Sequence, residues 1–154
     1  MNQEIAGDDG HGRFLLVRAG SLRCALPAFH VVRIVRQLRC HAVPGSRSHL
    51  VGLAQYGGDP LPVLDLHVLV QGSLSNTRHH STVILGRGQE RGHSVLGLAV
   101  DEVVRVVNLT LGNAADFDTT FVVETVKFEG EEVMVLNTKQ LLQEERADSG
   151  AKYG

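Results

Sequence analysis

The chain has 154 residues, of which 43% are hydrophobic and 21% charged, and its formal net charge is −2. This length suits one domain with a single core, or two small lobes that share one. The charge supplies no basic field for nucleic acid or an anionic membrane, and no apolar run approaches the roughly 18–20 residues of a membrane span. Cys24 and Cys40 are too few for a disulfide framework, which favours a reducing cytoplasm.

Short apolar stretches separated by turn residues run through the whole chain. Valine is abundant and aromatic residues are scarce, a composition that favours strands. Residues 1–12 and 146–154 are polar and predict mobile tails, with no signal peptide at the start. Pro27 predicts a helical turn at 28–31. The alternation predicts strands at about 13–18, 22–26, 32–36, 51–56, 61–66, 82–85, 94–100, 101–109, 121–128 and 133–136.

The segment 51–66 reads as two strands about a reversal at Gly57-Gly58-Asp59-Pro60. Pro62 cannot donate a ladder hydrogen bond, so the second strand is expected at a sheet edge or to begin at a bulge. Asp65 stands in an apolar run and should turn outward or accept a bond from a nearby backbone N–H.

The second half predicts a helical turn at 67–71, an exposed linker at 72–81 and a long hairpin loop at 86–92. Residues 110–120 are polar and predict a loop, and Glu129-Gly130 predicts a tight hairpin turn. Asn137-Thr138 should cap a last helix. Residues 37–48 predict a loop. The linker at 72–81 is the place where the chain could divide into two similar lobes.

Three stretches resemble the CheW-like family, the coupling proteins of bacterial chemosensory arrays. The first follows the family pattern G-V-x-N-L-R-G-x-x-x-P-V-x-D-L, with Gln55 and Gly57 where the family usually has Asn and Arg. The second follows Y-x-L-P-x-x-x-V-x-E-I-V, with Arg33 in place of Glu. The matching residues are Gly52, Gly58, Pro62, Val63, Asp65 and Leu66 in the first, Leu26, Pro27, Val31, Ile34 and Val35 in the second, and Gly97, Leu98, Val100, Asp101, Glu102, Val103 and Val106 in a third.

The resemblance implies an all-β fold: two SH3-like, loose five-stranded β-barrel lobes packed together, with a short C-terminal helix, in one domain over 13–145. It implies a non-catalytic, cytoplasmic adaptor that couples chemoreceptor tips to the regulatory domain of a CheA-type histidine kinase. A groove between the lobes would accept the receptor tip. The resemblance places the kinase-binding surface at Val31, Arg33, Ile34 and Gly52, and the receptor-binding region at Tyr56, Gly57 and Gly58.

No pattern of a nucleophile with a base, a phosphate loop or a metal-ligand pair is present, although the chain has eight histidines. We therefore expect no catalysis, metal or cofactor. Core packing is the alternative for Val31 and Ile34, and close backbone approach the alternative for Gly52. Gly57 and Arg33 leave open a diverged coupling protein that binds one partner only. A small ligand-binding β-barrel is disfavoured by five Phe and no Trp.

Overall fold

A computed structural model describes residues 11–45, 49–72, 80–86, 94–112 and 121–143. This part of the chain is built almost wholly from strands. The helical segments are a 3-10 turn (Ala28–His30), α1 (Leu66–Gln71) and α2, which covers 138–143. The strands are β1 (His11–Ala19), β2 (Leu22–Pro27), β3 (Val31–Arg36), β4 (Cys40–His41), β5 (Leu50–Tyr56), β6 (Asp59–Asp65), β7 (Ser81–Gly86), β8 (Ser94–Val100), β9 (Glu102–Thr110), β10 (Val122–Phe128) and β11 (Glu131–Leu136).

The strands form two sheets, which confirms the predicted two-lobed all-β fold. The order of the five-stranded sheet is β10-β11-β2-β1-β9, and we call it the terminal lobe. The order of the six-stranded sheet is β3-β7-β8-β6-β5-β4, and we call it the central lobe. The predicted division of the chain at 72–81 is wrong. The first hairpin forms one sheet with the last three strands, because β1 pairs with β9 and β2 pairs with β11. The strands β3 to β8 of the other sheet lie between them in the sequence.

The central lobe must curl, because its two edge strands are close in sequence. Five inter-strand spacings of about 4.8 Å would separate β3 from β4 by roughly 24 Å in a flat sheet. The four Cα steps from Arg36 to Cys40 can span at most about 15 Å. The sheet therefore bends into an open barrel with the residues 37–39 across its mouth.

The terminal lobe buries both faces of its first hairpin. Leu15 and Val17 point into a large core shared with the central lobe, whereas Phe14 and Leu16 point into a smaller core inside the terminal lobe. This division follows from the period of two along a strand. The central lobe has its own small inner core around Ala54, Val63 and Ala99.

The hairpin β5–β6 turns on two residues. Gly57 and Gly58 both have positive φ, 64° and 89°, and Tyr56 pairs with Asp59 across the turn. Positive φ at both central residues defines a type I′ turn, whose twist matches that of the flanking strands. The reversal is thus shorter than the predicted four residues, since Asp59 and Pro60 already belong to β6.

The prediction that Pro62 marks an edge strand is wrong for β6 as a whole, because β6 lies between β5 and β8. The parallel pairing with β8 begins only at Val63. Pro60 and Pro62 therefore precede it, where β6 has β5 as its neighbour and a missing N–H takes nothing from the β8 ladder.

One helix cap is formed as the sequence predicts, and the backbone hydrogen bond expected at Asp65 proves to be a second one. The Asp65 carboxylate accepts a hydrogen bond from the N–H of Val68 at 3.0 Å and begins α1. Asn137 accepts one from Gln140 at 3.1 Å and begins α2. The two-residue β4 stands where a loop was predicted. The predicted tail at 1–12 is wrong for His11 and Gly12, which pair with β9 as the beginning of β1. Residues 1–10, the predicted tail at 146–154 and most of the predicted segments 72–81, 86–92 and 110–120 lie outside the described residues.

Candidate partner-binding surface

One edge of the central lobe is formed by β3. Among the described residues its only ladder partner is β7. Pro27 ends β2, the 3-10 turn redirects the chain, and β3 then follows. We call residues 28–36 the β3 edge. Its backbone is held on one side alone, so the other side is open to a partner.

Three large apolar side chains of the β3 edge face solvent. Phe29, Val32 and Ile34 are 45%, 43% and 41% exposed. Val32 is the extra residue of a bulge, because Val31 pairs with Leu85 and Arg33 pairs with the next residue, Ile84. Apolar side chains clustered on one edge mark an interaction surface more often than single ones do.

Three residues of the predicted kinase-binding surface lie together on this edge. Arg33 and Ile34 are exposed, whereas Val31 is half-buried and packs against the shared core. Val31 therefore contributes to packing, which was the alternative interpretation for it. Ile34 is not a core residue.

Gly52 is not on the β3 edge. It lies in β5, which pairs with β4 and β6 and not with β3. It is buried against β4, and a Cβ there would lie 2.7 Å from the carbonyl carbon of His41 and closer still to its oxygen. No side chain fits unless the backbone of β4 moves. The structure thus supports the alternative that Gly52 serves close backbone approach.

The predicted receptor-binding residues occupy the tip of the β5–β6 hairpin. Gly57 and Gly58 are exposed, and an added Cβ at either would meet open space. Tyr56 is half-buried at the end of β5. In the sheet order this hairpin is separated from β3 by β7 and β8, so the two predicted surfaces belong to different parts of the lobe.

A groove of about 490 Å³ lies between the two lobes. The central lobe contributes apolar and basic side chains from β3, and the terminal lobe contributes the beginning of β9. The motif residues Asp101, Glu102 and Val103 matched the family pattern, but nothing in their spacing showed that they face β3. The lining residues are Arg18, Ile34, Arg36, His80, Ser81, Asp101, Glu102 and Val103.

Asp101 marks the point where the chain passes from one lobe to the other, and it is tied to the first hairpin. Its carboxylate accepts the N–H of Gly20, and its own N–H donates to the carbonyl of Arg18 at 2.9 Å. The Arg18 guanidinium in turn pairs with Glu102 at 3.1 Å. These bonds hold the floor of the groove in place.

Cys24 and Glu124 are two of the buried titratable residues in the described part of the chain. Burial raises the pKa of the Cys24 thiol to about 12, so the nucleophilic thiolate is absent at neutral pH. Glu124 is buried and accepts the N–H of Gly112 at 2.8 Å. Within the described ranges, no group of three His, Cys, Asp or Glu could hold a metal ion, and no helix is long and apolar enough to cross a membrane.

The two-lobed β fold and its exposed strand edge are features of the class of proteins that bind other proteins. The family model described as CheW-like domain matches residues 13–146. The solved structure of the scaffolding protein TtCheW from Thermoanaerobacter tengcongensis is similar to this chain, with a TM-score of 0.66 and 19% identity over 82% of this chain and 88% of that chain. No curated protein sequence matches. The chain belongs to the CheW-like domain family, whose members are non-catalytic scaffold proteins of chemotaxis.

Proposed function

We propose that this protein is a cytoplasmic, non-catalytic adaptor that couples chemoreceptors to a CheA-type histidine kinase in a bacterial chemosensory array. Membership of the CheW-like family supports the adaptor role. The single observation that carries the assignment of a partner surface is the β3 edge, where the described strand is paired on one side only and three apolar side chains are exposed.

The kinase regulatory domain docks on the β3 edge, with Arg33 and Ile34 in contact and Val31 supporting them from below. A contact of roughly 600–800 Å² per side would cover this edge and would remain reversible. Gly52 supports the lobe by letting β4 approach β5, so its effect on kinase binding is indirect.

The receptor tip binds in the groove between the lobes, and the β5–β6 hairpin forms a second contact. The groove combines apolar Val103 with charged Arg18 and Glu102, as a site for one face of an amphipathic helix requires. Gly57 contributes no donor, whereas an arginine would bring five N–H groups in a fixed geometry. Receptor binding through the hairpin tip is therefore weaker than it would be with arginine.

Titration of the chain against a CheA-type regulatory domain, and separately against a receptor-tip fragment, tests the proposal. The matched variants are Ile34→Ser and Val106→Ser, because both side chains are exposed on edge strands, one on each lobe. Ile34→Ser should weaken kinase binding by about 1–2 kcal/mol, the transfer free energy of a half-exposed aliphatic side chain. Val106→Ser should leave kinase binding unchanged, and both variants should melt near the parent temperature.

Absence of binding to both partners would reject the adaptor function. Binding that Ile34→Ser leaves intact would keep the function but move the kinase contact away from the β3 edge.

A further inference from the structure

Three arginines lie along the β3 edge and the residues that follow it. Arg33, Arg36 and Arg39 are exposed, and none forms an ion pair with a described residue. Arg33 pairs with Ile84 and Arg36 with Ser81 on β7, at positions that point to opposite faces of the sheet. The free backbone edge is therefore flanked by a positive charge on each side.

Protection of an edge against aggregation is the simplest reason for charges on it. That reason does not account for Phe29, Val32 and Ile34, which expose apolar surface on the same nine residues. Charged residues alone would protect the edge, whereas exposed apolar side chains between the arginines favour contact with a partner. Charge and apolar surface together select among partners, because like charges exclude one class and opposite charges admit another.

A second copy of this chain does not fit the edge. Antiparallel pairing of β3 with its own counterpart would place two positively charged strands side by side, and nearby like charges on paired strands destabilise the pair. A nucleic acid would satisfy the arginines but would leave three apolar side chains against its phosphates. A protein surface that carries both carboxylates and apolar side chains matches all six side chains.

We infer that the β3 edge recognises an acidic segment of its protein partner, in which carboxylates alternate with apolar residues. This inference rests on the proposed function, under which that partner is the kinase regulatory domain. The family pattern has a glutamate where this chain has Arg33. A glutamate at this position would repel the same carboxylates, so the arginine bears on which partner is selected.

The first test measures affinity for the kinase regulatory domain as the charge and the salt concentration change. The double variant Arg33→Glu with Arg36→Glu should bind at least about ten-fold more weakly, because two attractions become two repulsions. Raising the NaCl concentration from about 0.05 to about 0.5 M shortens the Debye length roughly three-fold and should weaken parent binding by about the same factor as the double substitution. Arg13→Glu is the matched control, since Arg13 is exposed in the terminal lobe and has no ionic partner among the described residues.

The second test locates the carboxylates. The double variant Arg33→Lys with Arg36→Lys keeps the charge and offers amines that a water-soluble carbodiimide can couple to a carboxylate in contact. Mass spectrometry should find positions 33 and 36 joined to Asp or Glu of the kinase domain, whereas Arg13→Lys should give no such link.

The outcomes separate the two proposals. If the parent does not bind the kinase domain, the proposed function fails and the inference fails with it. If the parent binds but the Arg→Glu variant binds equally well, or no link forms at positions 33 and 36, the inference alone is overturned. A duplex oligonucleotide bound by the parent and lost in the Arg→Glu variant would also overturn it.

Discussion

The two lobes each end in an edge strand, and the two edges share their geometry but not their charges. β3 of the central lobe and β9 of the terminal lobe each have one ladder partner, and each contains a bulge that turns one valine outward. Val32 is 43% exposed on the first and Val104 is 40% exposed on the second. Exposure alone therefore does not distinguish them.

The difference lies in what the arginines of each edge contact. Arg105 of β9 pairs with Glu129 at 2.7 Å, and its guanidinium lies 5.4 Å from the centre of the Phe128 ring. Both contacts reach across to the β10–β11 hairpin, so they close the seam of the terminal lobe. Arg33 and Arg36 of β3 have no such contact within the described part of the chain. The Arg105 side chain of β9 is therefore held by contacts within the chain. The Arg33 and Arg36 side chains of β3 remain available to bind a partner.

The largest expected effect concerns the other edge of the central sheet, where β4 pairs with β5. Gly52→Ala places a Cβ on the carbonyl of His41 and should lower the free energy of unfolding by about 2–4 kcal/mol. Denaturant unfolding measures it. Gly58→Asn is the control, because a Cβ at Gly58 meets open space and Asn tolerates positive φ, so its cost should stay below about 1 kcal/mol. A Gly52→Ala variant as stable as the parent would show that β4 does not pack tightly against β5 at this position.

The next effect concerns the support of the β3 edge. His30 Nδ1 and the Thr138 hydroxyl are hydrogen-bonded at 2.7 Å, and both residues are buried. This bond ties the 3-10 turn before β3 to the beginning of α2. Thr138→Val should cost about 1–3 kcal/mol of unfolding free energy and should also weaken kinase binding, because Phe29 lies within the turn. Thr138→Ser keeps the hydroxyl and should restore both; stability lost without any change in binding would mean that the turn does not position the edge.

A smaller effect tests the arginine comparison directly. Arg105→Ala should lower the free energy of unfolding by about 0.5–1.5 kcal/mol, since both of its contacts are half-exposed. Arg33→Ala should change it by less than about 0.5 kcal/mol. The same two variants should rank in the opposite order for kinase affinity. Equal effects in both measurements would remove the distinction between a closed and an open edge.

The smallest effect concerns the tip of the β5–β6 hairpin. Gly57→Arg restores the residue that the family pattern has there, and should tighten binding to a receptor-tip fragment roughly three- to ten-fold through new donors. Its positive φ of 64° makes the substitution cost about 1 kcal/mol of stability. Gly57→Asn controls for that conformation without the charge. Equally tight receptor binding by the parent and by Gly57→Arg would exclude the tip from the contact.

Local signals in the sequence predict most of the elements. Gly57-Gly58 and Glu129-Gly130 predict their hairpins because a two-residue turn favours residues that tolerate positive φ. Asn137 predicts its helix cap, and Asp65 its bond to a nearby backbone N–H, from the short reach of a side-chain oxygen. The pairing of distant strands has no such local signal. For that reason the sequence does not show that β2 meets β11, that Gly52 faces His41, or that Val103 and Ile34 line one groove.

The nesting of one lobe inside the sequence of the other has a consequence for synthesis of the chain. All strands of the central lobe have emerged by Val100, so this lobe can form during translation. One face of the first hairpin must wait longer, because Phe14 and Leu16 are covered by side chains of β9 and β11. At about 5–20 residues per second, the wait from β2 to β11 lasts on the order of 5–20 s. During that interval Phe14 and Leu16 are a target for chaperones, and the rate of elongation past residue 100 decides how long they remain exposed.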